Sequence, residues 1–193
     1  MIAFLRGQFA VKTPARLVLD VNGVGYDLQI SLNTYSAIVN KDHGVLFTYL
    51  HITENAHTLF GFAELAEKEM FLQLISVSGV GAATARMMLS GMRPEEIAKA
   101  IVQGNTKQLE GIKGIGKKSA ERLIVELKDK LGKYPLEQSL SASSAPSLDT
   151  DAANALVALG IGRALAEQAV KKTIAAGGSQ SLEDTIKQAL KNL

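Results

Sequence analysis

Two segments of this chain, 35 residues apart, align around a pair of glycines that flank a single apolar residue: Gly79-Val80-Gly81 and Gly114-Ile115-Gly116. The flanks align as well, Leu74-Ile75-Ser76-Val77-Ser78 over Leu109-Glu110-Gly111-Ile112-Lys113, and each copy places a small residue, Ala85 or Ala120, four positions past its second glycine. Glycine admits positive φ and has no Cβ to keep another molecule away from the backbone. A loop of this kind at a helix start turns its amides outward, where they meet the partial positive charge of the helix N-terminus. The chemistry such donors suit is a phosphate oxygen. Val80 and Ile115 are the apolar anchors expected to hold each loop between its two helices. Lys117, Lys118 and Arg122 add cations around the second loop. In the first, Ala82 and Ala83 stand where those lysines stand, which leaves its grip to the amides and Arg86.

The elements that must position these loops follow from periodicity. From Ala63 to about Leu131 apolar residues recur at helical spacing (Leu65, Met70, Phe71, Leu74 and Ile75 open the run), so each copy is a helix, a loop and a second helix. The duplicated pattern is that of a tandem helix–hairpin–helix. Residues 106–133 carry eight basic against four acidic side chains, the only clear local excess in a chain of net charge +2. A solvated, ion-paired helix would explain that excess too; beside the glycine loops, it reads as a patch for a phosphate backbone. Contacts of this kind fix position on DNA and carry no base information.

Residues 1–62 read differently. Leu17–Val21 and Tyr26–Ile30 alternate around Val21-Asn22-Gly23, a type I′ hairpin signal. With an opening strand over Ile2–Val11, Val45–Ile52 and Thr58–Phe62, and a short helix near 33–40, this predicts a five-stranded barrel of the OB type. Residues 133–148, rich in Ser and Ala with two prolines, read as a flexible linker. Residues 149–193 form a small module of three short helices, broken at Gly160 and Gly177-Gly178. The expected architecture is multidomain α+β: barrel 1–62, tandem hairpin domain 63–132, linker 133–148, three-helix module 149–193.

Other chemistries are harder to build from these residues. With no cysteine, thiolate metal sites and disulfides are excluded. His43, His51 and His57 have no carboxylate at ligand spacing, so no metal and no cofactor is expected. Gly111–Lys117 fits a Walker A spacing up to Lys118, which replaces the magnesium-binding hydroxyl, and no apolar strand precedes it. The Gly-x-Gly pairs lack the third glycine of a dinucleotide fingerprint. Neither a membrane span nor a secretory leader is evident, which reads as cytosolic. The competing class is a hairpin-bearing DNA repair enzyme. A glycosylase would have to use Asp129, which sits in a basic run without a partner base. A nuclease would need clustered carboxylates, and Glu95-Glu96 open a helix after Pro94. A plain duplex-binding module would need neither the turn at 53–56 nor a tethered third domain.

Across nearly its whole length the chain resembles the RuvA family. The resemblance rests on Met1-Ile2-Ala3-Phe4-Leu5-Arg6-Gly7, Val21–Tyr26, Leu59-Phe60-Gly61-Phe62, Gly79-Val80-Gly81, Leu89-Ser90-Gly91-Met92, Gly114–Asp129 and Ala155–Gly160. It implies a homotetramer, alone or as two tetramers sandwiching the DNA, that holds a four-way Holliday junction open in recombination and repair. It also implies a RuvB-type hexameric ATPase and a RuvC-type resolvase as partners. The chain itself would be non-catalytic. The loop Thr53-Glu54-Asn55-Ala56 matches the family's acidic pin, with Asn55 in place of its second acid. In the last module, Leu156, Leu159 and Ile161 would meet the ATPase. On the residues alone, Leu156 and Leu159 suit the module's own core equally well.

Overall fold

The computed structural model describes residues 1–132, 148–175 and 181–192. Residues 133–147 of the expected linker and Gly177-Gly178 lie outside them. The chain divides into two units, Met1–Leu136 and Glu137–Leu193, and each is described by itself.

The first unit opens with five strands, β1 (Phe4–Thr13), β2 (Arg16–Val21), β3 (Val24–Ile30), β4 (His43–Ile52) and β5 (His57–Phe62), closed into a barrel in the order β1-β2-β3-β5-β4. All neighbours are antiparallel except β3 and β5, and α1 (Leu32–Ile38) makes the connection between β3 and β4. The β2–β3 turn has φ of +51° at Asn22 and +87° at Gly23, the two positive values a type I′ hairpin requires. Inward-facing Leu17, Leu19, Leu28, Ile30, Leu46 and Leu59 fill the barrel. Their two-residue spacing along β2 and β3 is the strand alternation read from sequence.

Strand β5 is buried on both faces. Leu59 points into the barrel, while Phe60 and Phe62 point out, each with its ring centroid 5.0 Å from that of Phe71. Phe71 lies on α2 (Leu65–Ile75), so this strand joins the barrel core to a helical core. The period-3.6 stripe puts Met70, Phe71 and Leu74 inside; Leu65, counted in that stripe, is exposed at the helix start. Truncating Phe71, fully buried between the layers, would cost about 3–5 kcal/mol. The helices α3 (Ala82–Gly91), α4 (Pro94–Val102), α5 (Thr106–Glu110) and α6 (Lys117–Gly132) complete the unit.

The second unit contains α7 (Leu148–Ala158), α8 (Arg163–Ala175) and α9 (Leu182–Lys191) around Ala152, Leu156, Ala166, Ala169, Val170 and Ala189. Among the described residues, no helix is long and apolar enough to cross a membrane.

Candidate nucleic-acid interface

The two glycine loops have the same internal wiring. In the first, Val77 N–H donates to Leu74 O (3.2 Å), Val80 N–H to Val77 O (3.0 Å) and Ala85 N–H to Gly81 O (2.9 Å). In the second, Ile112 N–H donates to Leu109 O (3.1 Å), Ile115 N–H to Ile112 O (3.0 Å) and Ala120 N–H to Gly116 O (3.0 Å). Gly79 and Gly114 carry φ of +90° and +95°, where a Cβ is strained. Val80 and Ile115 are buried anchors in one shared core. Ala85 and Ala120 are completely buried, as close helix approach demands of a small side chain.

Gly81 and Gly116 have a different reason to be glycine. Gly81 has φ −82° and ψ 167°, open to any residue, and no atom lies within 4 Å of where a Cβ would stand on either glycine. Nothing in the protein excludes a side chain there. The space beside both glycines is open. Gly81 is the N-cap of α3 and brings no side-chain cap, so first-turn amides that a capping residue would satisfy stay available to an external acceptor. Residues Ile75–Gly81 line an open concavity of about 490 Å³ at this loop.

The cations around the loops divide into two kinds. Lys117 and Lys118, in the first turn of α6, are exposed, and neither pairs with a carboxylate among the described residues. The arginines are tethered. Arg122, grouped by sequence with the second loop, reaches back to the first: its Nη1 donates to Ser78 O (3.2 Å), and its Nε pairs with Glu126 (3.2 Å). Arg86 donates from Nη1 to Ala15 O (3.1 Å) in the β1–β2 turn. A guanidinium has five donors, so both retain capacity for a phosphate while also acting as braces. The sequence had no signal for the bracing, because the partners are backbone carbonyls 44 and 71 positions away.

Glu54 and Asn55 are exposed at the tip of the β4–β5 hairpin. Thr53 closes the turn: its N–H and Oγ1 donate to Ala56 O (2.9 and 3.1 Å). The residues considered for enzymatic chemistry are dispersed. Asp129 is exposed on α6, and Glu96 caps α4 by accepting from Arg93 N–H at 2.8 Å. The Walker-like run lies between helices α5 and α6. Among the described residues, no group of three or more His, Asp or Glu is disposed to hold a metal.

In the second unit the three apolar candidates differ in exposure. Ile161 N–H donates to Leu156 O (3.1 Å), Gly160 N–H to Val157 O (3.0 Å), and Gly160 has φ +94°. This is the Schellman end of α7, whose apolar contact joins the positions that Leu156 and Ile161 occupy. Leu156 is therefore fully buried and Ile161 packs partly buried against the same core, while Leu159 stays 64% exposed. Leu165, not singled out by sequence, is 58% exposed.

A five-stranded barrel joined to paired helical hairpins with open, glycine-lined loops defines the class of protein, a barrel followed by a tandem helix–hairpin–helix domain. Comparison with known proteins narrows this. Residues 1–61 match the RuvA N-terminal domain, 71–129 a SAM-like helix-hairpin-helix tandem, and 148–193 the RuvA C-terminal domain. The chain is 47% identical to the Holliday junction branch migration complex subunit RuvA of Flavobacterium psychrophilum, with 100% of both chains covered. It is 46% identical to the protein so described in Cytophaga hutchinsonii, over 99% of each chain, and 46% identical to that of Geobacter sulfurreducens, over 100% of this chain and 99% of that one. The chain belongs to the RuvA family.

Proposed function

We propose that this chain binds four-way DNA junctions as the non-catalytic, junction-recognising subunit of a branch-migration complex. The observation that carries the reading is the pair of identically wired loops whose Gly81 and Gly116 keep open the one direction a Cβ would close. Two phosphate cradles per protomer, one bearing Lys117 and Lys118, fit backbone recognition independent of sequence. Arg86 and Arg122 support the cradles from their braced positions.

The remaining parts take roles around that grip. Four protomers around one junction would offer eight cradles to its arms. The β4–β5 tip presents Glu54, with neutral Asn55 beside it, where a carboxylate would repel phosphates converging at the crossing point. The ATPase that drives migration is a separate, RuvB-type partner, met by exposed apolar residues of the second unit, Leu159 and Leu165, with Leu156 and Ile161 holding that surface from beneath. Native mass spectrometry of the chain with a synthetic four-way junction tests the assembly. Complexes holding four or eight protomers per junction support the reading; single protomers distributed on duplex arms contradict it.

A further inference from the structure

Glu67 is the only charged side chain among the described residues that the core buries, at 3% exposure. It touches neither cradle. Burying a carboxyl is costly unless it is well hydrogen-bonded, so its placement needs a reason. Both oxygens are engaged by the first turn of α1: Ser31 Oγ donates to Oε1, and Thr34 Oγ1 donates to Oε2 at 2.6 Å. Ser31 is at the same time the N-cap of α1, accepting from Thr34 N–H at 3.0 Å. Thr34 Oγ1 also accepts from Ala63 N–H (3.0 Å), where the chain leaves the barrel. Burial pushes the Glu67 carboxyl above the usual carboxylate range, opposed by the bonds from Ser31 and Thr34.

The residues between those two hydroxyls bind the other helix of the first hairpin. Leu32 N–H donates to Ser90 Oγ (3.1 Å), and Asn33 Nδ2 donates to Leu89 O (2.6 Å) and Met92 O (3.0 Å) at the end of α3. Four consecutive residues of a barrel connection thus grip α2 through Glu67 and the end of α3 through Ser90 Oγ and the carbonyls of Leu89 and Met92.

We infer that this network is a latch: Glu67 and Asn33 are positioning residues that set the first cradle at a fixed distance and angle from the β4–β5 tip, and through that spacing favour a junction over a duplex. A duplex contacts one cradle without needing the tip at all. A junction must satisfy cradles and tip together, so slack between them weakens junction binding selectively. The inference rests on the proposed junction binding for its consequence, though not for its geometry.

The chain has no cysteine, so nitroxide labels can be placed cleanly at Asn55→Cys and Ser78→Cys, with labelled protomers diluted into unlabelled chain. Pulsed electron spin resonance then reads the tip-to-cradle distance in the wild-type background, in Glu67→Ala and in Asn33→Ala. The unlabelled variants are titrated with junction and with duplex. The latch predicts a narrow distribution in the wild-type background and broadened ones in both variants. Duplex affinity should be unchanged, with the junction-to-duplex affinity ratio reduced about tenfold, equivalent to roughly 1.4 kcal/mol. Should Glu67→Ala fail to fold, Asn33→Ala, which removes only a partly buried amide, decides alone. Distances in Asn33→Ala as narrow as wild type, or an unchanged affinity ratio despite broadened distances, overturn the inference. A wild-type chain without junction preference would overturn the proposed function instead, and the distance measurements would still decide whether the latch exists.

Discussion

The two hairpins share one backbone and differ in almost everything attached to it. Hydrogen bonds, positive-φ glycines, buried anchors and buried alanines recur position for position. The first hairpin is braced to the barrel, by Arg86 on Ala15, by Asn33 on the end of α3 and by Glu67 under α1. The second carries Lys117 and Lys118, exposed and without a carboxylate partner among the described residues. Even the aligned alanines are not equivalent to them, since Ala82 is buried where Lys117 is exposed, and only Ala83 faces solvent like Lys118. The loop geometry is thus a property of the backbone, with bracing to the barrel in one copy and exposed lysines in the other.

The largest effect should come from closing the cradles. In Gly81→Ala with Gly116→Ala neither added Cβ meets a protein atom, so stability should change by no more than about 0.5 kcal/mol. Removing two charge-assisted hydrogen bonds per protomer, at about 1.5–3 kcal/mol each, predicts junction affinity at least about a hundredfold lower. Normal binding by a folded double variant would break the equivalence of the two loops.

Charge comes next. Lys117→Ala with Lys118→Ala should weaken junction and duplex binding alike and flatten the logarithmic salt dependence by about one unit for each phosphate no longer neutralised. Ala83→Lys should steepen it, making the first loop resemble the second. Equal slopes in all three proteins would remove the electrostatic half of the contrast.

The bracing has its own signature in pH. The Glu67 carboxyl is raised above its ordinary value of 4.5, chiefly by burial. Its neutral form therefore favours folding: the contribution is complete below the ordinary value and lost as pH rises through the folded-state one. Chemical denaturation of wild type and Glu67→Gln across this window should show wild type losing stability relative to the variant with rising pH. A difference that stays constant with pH would count against a buried, desolvated carboxyl.

The smallest effect belongs to the tip, where Glu54 is exposed and screened. Glu54→Gln should tighten junction binding modestly at low salt, and Asn55→Asp should loosen it. Both effects should fade as the Debye length shortens from about 10 Å at 0.1 M. Identical affinities at every salt concentration would make the turn a bystander.

How much of this was legible in the sequence depended on range. The Asn22-Gly23 turn, the alternation of Leu17 and Leu19, the α2 stripe and the loop repeat are encoded by neighbours, and periodicity exposes them. The reach of Arg122 to Ser78, Arg86 to Ala15 and Asn33 to α3 joins segments that only packing brings together, and composition holds no trace of such pairings. The different exposure of Leu156, Leu159 and Ile161 has a local cause that was in principle readable. Gly160 stands four positions after one apolar residue and one before another. That spacing is a Schellman signal, and it sends Leu156 and Ile161 inward while leaving Leu159 outside.

Junction recognition by this chain is predicted to rest on contacts that ignore base sequence and to exceed binding to the component duplex. A labelled four-way junction, competed at one ionic strength with unlabelled duplex of equal length and with a second junction of scrambled sequence, measures this directly. The prediction is that the scrambled junction competes as well as the original, while duplex requires at least about a thousandfold higher concentration, the lower end of the gap that separates specific from non-specific DNA binding. Duplex competing on equal terms with the junction would contradict it.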